Sequence, residues 1–344
     1  MTDSLVYKPF DAFDAFQWDL LLDNFEVTVS YTAWFLNYVT ILNKRTEIKN
    51  HTFMVYRGSS AIAMVPLFIE KIDGSWQMSI GQEPISALIF NKIIPQQDVL
   101  LLYQPIVKEI ERLALEFQCI LARFFYSPLL YREEAPNYLK QFGFVEEICY
   151  PDWYVFKAKS SYVIDLNNSI EALYKTIRKG HKANIKRTSP KVKLIVLDRS
   201  FFDQQLFEQY ISLHCKIKGQ NRSQAAFVLD RDAVRNGLEV ILLCKFNGAL
   251  VGSVALHTAK SKARYNSSVQ DYSLTESIYP THYLLWSAIS YLKENGFSVF
   301  EIGEQVIESE SYKISQKEKN LSHFKAGWGG RLVPSMKAQK DFTH

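Results

Sequence analysis

Short runs rich in β-branched and aromatic residues dominate the first part of the chain. Two of them, 51–57 and 61–71, flank the turn segment 58–60, and this arrangement predicts a β-hairpin. A second turn at Asp73-Gly74 leads into a third run from Trp76 to Ile80. The pattern therefore predicts an antiparallel sheet in the first part of the chain.

A segment whose apolar residues have helical spacing follows these strands. Pro105 is expected to open a helix, because proline is tolerated in a first turn and the apolar side chains after it share one face. These apolar positions are Ile106, Ile110, Leu113 and Phe117. The remaining elements expected in the first half are a strand over 119–125, a short helix over 136–143 and a strand from Phe144.

The second half of the chain repeats this order of elements. Strands over 238–246 and 249–257 flank Asn247-Gly248, the strongest two-residue hairpin signal in the sequence. The elements expected after the hairpin are a strand over about 262–270, a helix from Pro280 to Gly296 and a strand over 297–302. Because hairpin, helix, Gly-Phe and strand occur twice, the pattern indicates two lobes of one fold class.

The boundary between the lobes is predicted in the polar, non-periodic segment 157–162. The first lobe is expected to span 1–158 and the second 159–344. Each lobe is predicted to be a mixed α/β unit, with a mostly antiparallel sheet flanked by helices. A length of 344 residues suits two units of this size.

The segment after this boundary is the most basic part of the chain. One helix is predicted from an N-cap at Ser169 to Arg187, with Gly180 as the expected point of any kink. No carboxylate lies between Ala172 and Ser189, so ion pairs within the helix cannot neutralise its cations. Two interpretations are open: a solvated helix face, or a surface that contacts the phosphates of a ligand. The cations of this face are Lys175, Arg178, Lys179, Lys182 and Lys186.

Composition narrows the possible classes of function. A net charge of +4 and a pI near 8.6 are too mild for a dedicated nucleic-acid-binding protein, and no DNA partner is expected. The cysteines form no C-x-x-C pair and the histidines have no metal-ligand spacing, so no metal is expected. The N-terminus lacks the basic segment of a signal peptide, and no apolar run reaches the length of a membrane span. A cytoplasmic protein without a transmembrane segment is the expectation.

Candidate chemistry lies near the end of the sequence. A strand is expected to end at Gly303, a polar loop to follow over 304–320, and a glycine-rich turn over 323–330 to precede a final strand. This turn places Lys325 near two aromatic rings and several glycines, which allow close backbone approach. A lysine fixed there can stabilise a developing negative charge or hold a phosphate. The alternative is a turn that only precedes the last strand, with Lys325 in solvent.

Three segments carry a resemblance to a known family. Residues 281–303 (THYLLWSAISYLKENGFSVFEIG), followed by 321–330 (LSHFKAGWGG), resemble the C-terminal part of FemAB-type transferases, and 171–187 is similar to the basic segment of that family. The resemblance covers residues 50–335 or so and is most specific toward the C-terminus. It implies two GNAT-like lobes that transfer an acyl or aminoacyl group from a carrier to an amine.

The resemblance also implies a substrate class and a set of contacts. The acceptor would be an amine of a cell-envelope precursor, on a peptide or on an amino sugar that is a small molecule or is linked to a lipid or nucleotide. Acyl-CoA, as acetyl-CoA or a longer thioester, is favoured as the donor over aminoacyl-tRNA, because the coiled-coil arm of some tRNA-using relatives is absent. The expected substrate contacts are Phe324, Tyr265, Trp328 and Arg222. The expected phosphate contacts are Arg178, Lys179, Lys182, Lys186 and Thr281.

Acyl transfer to an amine requires a neutral amine, a donor for the carbonyl oxygen and a base for the released proton. Lys325 is the expected donor, and Glu304 and His282 are the candidate bases. His282 falls in the first turn of its predicted helix, where the positive end of the helix dipole disfavours protonation. Three other functions stay open: a CoA-dependent N-acetyltransferase for a small molecule, an aminoacyl-tRNA-dependent peptidoglycan-bridge transferase, and a non-catalytic RNA-binding module that uses the basic face alone.

Overall fold

The structure, a computed structural model, confirms the predicted mixed α/β class with mostly antiparallel sheets. It describes residues 4–42, 47–130, 145–146, 159–219, 223–274, 277–306, 313–334 and 336–342. The chain divides into two compact units, and each is described separately below. One comprises Met1–Ala158 with Ser335–His344, and the other comprises Lys159–Glu308 with Lys313–Pro334. No helix within the described ranges is long and apolar enough to cross a membrane.

The first unit contains two sheets that share one apolar core. The strands of its four-stranded antiparallel sheet are, in spatial order, β1 (Leu5–Pro9), β3 (Phe53–Arg57), β4 (Ser60–Val65) and β8 (Ile89–Phe90). The strands of its larger sheet are, in spatial order, β10 (Val145–Glu146), β18 (Met336–Asp341), β9 (Cys119–Tyr126), β6 (Ser75–Met78), β5 (Phe68–Ile72) and β2 (Glu47–Asn50), with β7 (Ile85–Ser86) also paired to β9. The C-terminal strand β18 therefore belongs to the sheet of the first unit.

Within the described residues, the helices of the first unit are α1 (Ala15–Leu21), α2 (Ala33–Leu42) and α3 (Gln96–Glu116). The predicted start of α3 at Pro105 is wrong, because the helix begins at Gln96 and holds Pro105 in its interior. The apolar face extends upstream of the proline through the buried residues Val99 and Leu102, and this packing outweighs the one helical hydrogen bond that proline removes. The carbonyl of Pro105 also accepts a hydrogen bond from the Tyr7 hydroxyl at 3.1 Å.

The predicted strand over 61–71 is in fact two strands in different sheets. β4 ends at Val65 and β5 begins at Phe68, and Pro66 between them has no N–H to donate to a neighbouring strand. The turn at Asp73-Gly74 is confirmed as the β5–β6 hairpin, with positive φ angles at both residues. The helix predicted over 136–143 lies outside the described residues, as does Phe144.

The second unit contains one seven-stranded sheet. Its strands are, in spatial order, β12 (Lys193–Leu197), β13 (Glu239–Phe246), β14 (Ala249–Ala259), β15 (Lys262–Gln270), β16 (Val299–Val306), β11 (Lys159–Asp165) and β17 (Arg331–Pro334). All of the neighbours are antiparallel except β15 and β16. The predicted hairpin at Asn247-Gly248 is confirmed, with φ angles of 50° and 82° that match a tight two-residue turn.

Helices cover both faces of this sheet. They are α4 (Ile170–Thr176), α5 (Lys179–Thr188), α6 (Gln204–Lys218), α7 (Gln224–Arg235), α8 (Pro280–Glu294) and α9 (Gln316–Ala326). Along β13, Leu242 and Cys244 pack with α4, α5 and α8, whereas the intervening Ile241 and Leu243 pack with α6 and α7. This alternation is what a strand buried on both faces requires. Single 3₁₀ turns in the two units cover Phe10–Ala12, Leu22–Asn24, Val29–Tyr31, Ser189–Lys191 and Tyr272–Leu274.

The basic segment forms two helices instead of the predicted one. Ser169 caps α4 as expected, with its hydroxyl accepting from the Ala172 N–H at 3.2 Å. The break lies at Ile177 and Arg178, whose backbones are extended, and not at Gly180. A tertiary contact explains this position, because the freed Arg178 N–H donates to the carbonyl of Gly327 at 2.8 Å.

Candidate active site

Parallel strands β15 and β16 separate from each other after a short paired region. Lys262–Arg264 of β15 pair with Val299–Glu301 of β16, and the pairing ends there. On their outer sides, β15 continues to pair with β14 as far as Gln270, and β16 with β11 as far as Val306. No described strand fills the space between them beyond Arg264 and Glu301, which we call the β15–β16 gap. An extended ligand can enter such a gap and pair with strand edges.

A buried carboxylate closes the base of the β15–β16 gap. Glu301 is only 2% exposed. Its Oε1 accepts from the Ser161 hydroxyl at 2.8 Å, and its Oε2 lies 3.6 Å from Nε of Arg264. These contacts connect β11, β16 and β15 at the point where the two parallel strands begin to diverge. The carboxylate thus fixes the geometry of the opening.

Lys325 lies against one wall of the gap. It belongs to the last turn of α9, so residues 316–326 form a helix, and residues 304–306 extend β16, where a polar loop and a turn were expected. Residues 307–312 of that loop lie outside the described residues. The ammonium donates to the carbonyl of Glu304 at 3.0 Å. A Cβ added at Gly303 would lie 2.9 Å from the same ammonium, so glycine at this position leaves room for the lysine. The structure therefore places the Lys325 ammonium against the backbone carbonyl of Glu304, and this candidate base is on a strand and not on a loop.

Two histidines and two aromatic rings form a cluster beside Lys325. The aromatic cluster consists of His181, His282, Phe324 and Trp328, with ring centroids 4.7 Å apart for the two histidines and 5.2 Å apart for His282 and Phe324. Nε2 of His181 lies 2.9 Å from the Phe324 carbonyl, and since a carbonyl only accepts, this nitrogen carries the proton. Asn184 donates to Nε2 of His282 at 3.3 Å.

Burial keeps both histidines of the aromatic cluster neutral. It lowers the pKa of His282 to about 4, with a smaller contribution from His181. It also lowers the pKa of His181, against the hydrogen bond to the Phe324 carbonyl. Burial is therefore the main cause of the shift at His282, whereas the sequence had suggested the helix dipole. A neutral His282 can accept a proton near pH 7, but with a small driving force.

His181 is the member of this cluster that sequence reasoning missed. It stands within the most basic segment, where its neighbours Lys179 and Lys182 suggested an exposed position. The available signal was spacing, because His181 falls midway between Ile177 and Ile185 at intervals of four residues, on the apolar stripe of the helix. In the structure it is 6% exposed and packs on Gly327, where an added Cβ would lie 2.2 Å from its Nε2.

The proposed phosphate contacts do not converge on one point. Lys182 donates to the carbonyl of Lys175 at 3.0 Å, and its ammonium lies 5.3 Å from the ring centroid of Tyr174. Lys179 and Lys186 are exposed, whereas Arg178 is half-buried at the start of α5. A phosphate chain passing over α5 would therefore meet Lys179 and Lys186 first.

The start of α8 offers few backbone donors to a phosphate. Pro280 has no N–H, and the N–H of His282 donates to the carbonyl of Tyr279 at 3.1 Å. The hydroxyl of Thr281 donates to Oε1 of Gln270 at 3.0 Å. This arrangement is a weaker anion site than an open helix N-terminus.

Two expected substrate contacts remain to be placed. Tyr265 lies near the base of the β15–β16 gap, directly after Arg264, and its hydroxyl donates to Oγ of Ser268 at 2.6 Å. Burial raises its pKa, so the phenol stays protonated. Arg222 lies outside the described residues. Among the side chains that the structure describes, no group of three or more His, Cys, Asp or Glu is arranged to hold a metal ion.

Comparison with solved structures identifies the fold. FemX superposes with a TM-score of 0.71 at 12% identity, over 96% of each chain. The chain has a FemAB-like GNAT fold. The expected resemblance is thereby confirmed at the level of the fold. L-PGS from Bacillus licheniformis gives a TM-score of 0.60 at 13% identity over 94% of this chain and 91% of the other. A tandem GNAT protein from the clavulanic acid biosynthesis pathway gives 0.51 at 10% identity over 98% of each chain.

Searches at the sequence level add no family assignment. No family model matches the chain, and no curated protein matches it. The identities of 10–13% to the solved structures show a common fold, and the chemistry of the site has to be argued from its own residues.

Proposed function

We propose that this protein transfers an acyl or aminoacyl group from a phosphate-bearing carrier to an amine of a cell-envelope precursor. The observation that carries the proposal is the position of the Lys325 ammonium on the wall of the β15–β16 gap, beside Gly303 and Glu304. A carrier arm in the gap would bring its ester or thioester carbonyl to this ammonium. The positive charge would then stabilise the oxyanion that forms when the amine attacks.

The remaining roles follow from the contacts around Lys325. Glu304 is proposed as the base for the proton released by the amine, because its backbone carbonyl binds the Lys325 ammonium and the residue is half-buried. His282 is the weaker candidate, since its pKa is about 4 and its Nε2 already accepts from Asn184. Phe324, which is half-buried, would bound the site with apolar surface and limit access of water to the ester, and Trp328, which is only 1% exposed, packs behind it. The acceptor amine would belong to a peptide or an amino sugar, as the sequence resemblance to FemAB-type transferases implies.

The carrier is proposed to be acyl-CoA. The β15–β16 gap suits the extended, amide-containing arm of a CoA thioester, which can pair with strand edges. The exposed Lys179 and Lys186 support its phosphates. The same cations would also support the phosphates of aminoacyl-tRNA. The start of α8 offers few hydrogen-bond donors for the phosphates of CoA, which removes one argument for CoA. Aminoacyl-tRNA is therefore the second candidate donor.

Thermal stabilisation by candidate donors tests this proposal. We expect acetyl-CoA or a longer acyl-CoA to raise the melting temperature, because a ligand at a hundred times its dissociation constant stabilises by about 2.7 kcal/mol. The double variant Lys179→Gln/Lys186→Gln should weaken this effect, whereas Lys317→Gln on α9 should leave it unchanged. If an aminoacyl-tRNA pool stabilises the protein at moderate salt and no thioester does, the donor is aminoacyl-tRNA and not acyl-CoA. Stabilisation by neither carrier would contradict the proposed function.

A further inference from the structure

A second groove lies on the second unit, along the exposed side of α8. It has a volume of about 680 Å³ and runs between α8, α5 and the edge strand β12. Its α8 wall extends from Tyr283 to Glu294, about 16 Å at the helical rise of 1.5 Å per residue. This is long enough for several linked rings and within the usual volume of ligand sites. None of the residues assigned to acyl transfer except Lys186 lines it.

Aromatic rings form the walls of this groove and are held in place before any ligand binds. Tyr174 and Trp286 meet edge to face with centroids 5.0 Å apart. The Lys182 ammonium lies over the Tyr174 ring. At the other end, the Tyr291 hydroxyl donates to Oδ2 of Asp198 at 2.6 Å, which fixes that ring. Fixed rings lose little conformational entropy on binding, so the groove is preorganised.

The polar groups of the groove indicate a neutral ligand. Three serine hydroxyls, from Ser189, Ser287 and Ser290, line it together with one cation, Lys186, and one carboxylate, Glu294. The charges of the two ionic side chains cancel, which does not favour a polyanion such as single-stranded RNA, since RNA needs cations along its backbone. A pyranose ring has an apolar C–H face that packs on aromatic rings and an edge of hydroxyls that bonds to serine and carboxylate groups. The lining complements this chemistry.

We propose that the α8 groove is a binding site for a short, neutral oligosaccharide. Trp286 is the central stacking ring, and Ser290 and Glu294 contact the sugar hydroxyls. The proposal does not depend on acyl transfer, because the groove shares only Lys186 with the residues assigned to that reaction. Such a site would let the protein bind a glycan whether or not an acyl donor is bound.

Direct binding of neutral trisaccharides tests the groove. Chitotriose, cellotriose and maltotriose would be titrated into the full-length protein by calorimetry and by saturation-transfer NMR, with a pentanucleotide RNA as the anionic comparison. We expect at least one trisaccharide to bind. Trp286→Leu should weaken that binding at least about tenfold by removing the stacking ring. Ser290→Leu, which fills the groove at a half-exposed helix position and removes no ring, should weaken it similarly.

Tyr272→Ala is the matched control, since Tyr272 is a 78% exposed aromatic residue of the same unit outside the groove. It should bind the sugar like the wild type, and circular dichroism would verify folding of all three variants. The proposal is overturned if no trisaccharide binds at millimolar concentration, or if both groove variants bind as tightly as Tyr272→Ala. Salt-sensitive binding of the pentanucleotide without any sugar binding would also overturn it.

Discussion

At the scale of single residues, the candidate site depends on how Lys325 is held. Its ammonium donates to the Glu304 carbonyl and occupies the space that a side chain at position 303 would fill. A lysine fixed in this way needs little reorganisation when negative charge develops beside it. The role proposed for Lys325 is electrostatic, and the side chain is only half-buried, so catalysis should depend on it more than folding does.

Lys325→Ala is expected to lower turnover at least about tenfold, with a nearly unchanged melting temperature. Steady-state kinetics with the donor found by thermal shift, together with a melting curve, would measure both quantities. Lys317→Ala, on the exposed side of the same helix, provides the control and should keep full activity. Full activity of Lys325→Ala would contradict the assignment of Lys325, whereas a large fall in melting temperature would indicate a structural role.

Much of this neighbourhood could be foreseen from the sequence, but its contacts could not. Local patterns point to Phe324, His282 and Trp328, and the structure brings these three rings together, with Lys325 directly after Phe324 on α9. His181 was missed because its partners are more than a hundred positions away along the chain. Local patterns report on a helix face, but not on which distant segment that face meets.

At the scale of elements, turn residues correctly predict two hairpins, whereas proline correctly predicts the start of α8 at Pro280 but not the start of α3. Asn247-Gly248 and Asp73-Gly74 form the predicted hairpins, because positive φ angles at adjacent positions leave the chain few alternatives. The local pattern predicts a helix start at Pro105, but tertiary burial on α3 tolerates proline inside the helix. The break between α4 and α5 follows from the bond between Arg178 and Gly327, which no local pattern contains.

The packing of the 327–330 turn against α4 and α5 can be tested by replacing a glycine with alanine, which adds one methyl group. Gly327→Ala should destabilise the protein by about 1–3 kcal/mol, because the new Cβ would collide with the buried His181 ring. Gly180→Ala adds the same group to α5 with nothing within 4 Å. It should be neutral or stabilise by up to about 1 kcal/mol through helix propensity. Chemical denaturation would measure both values. Equal effects of the two substitutions would contradict the close packing at Gly327.

At the scale of the whole molecule, the path of the C-terminal strand determines which parts of the chain can fold alone. The seven-stranded sheet of the second unit is complete within residues 159–334. The larger sheet of the first unit needs β18, which lies between β10 and β9 and pairs with β9 over Leu121–Tyr126. The sequence predicted two lobes divided after residue 158 but assigned the entire C-terminus to the second. Long-range strand pairing of this kind is not visible in a local pattern.

We therefore expect a fragment of residues 159–334 to fold and to keep the donor-induced rise in melting temperature, because Lys325, the β15–β16 gap and α5 all lie within it. A fragment of residues 1–158 should be poorly soluble, since the edge of β9 that binds β18 would be exposed. Joining 335–344 to residue 158 through a flexible linker should restore its solubility. Circular dichroism, gel filtration and thermal shift would follow all three proteins. An unfolded 159–334 fragment, or a 1–158 fragment that is as soluble without β18 as with it, would show that the two units are not independent in the way that we propose.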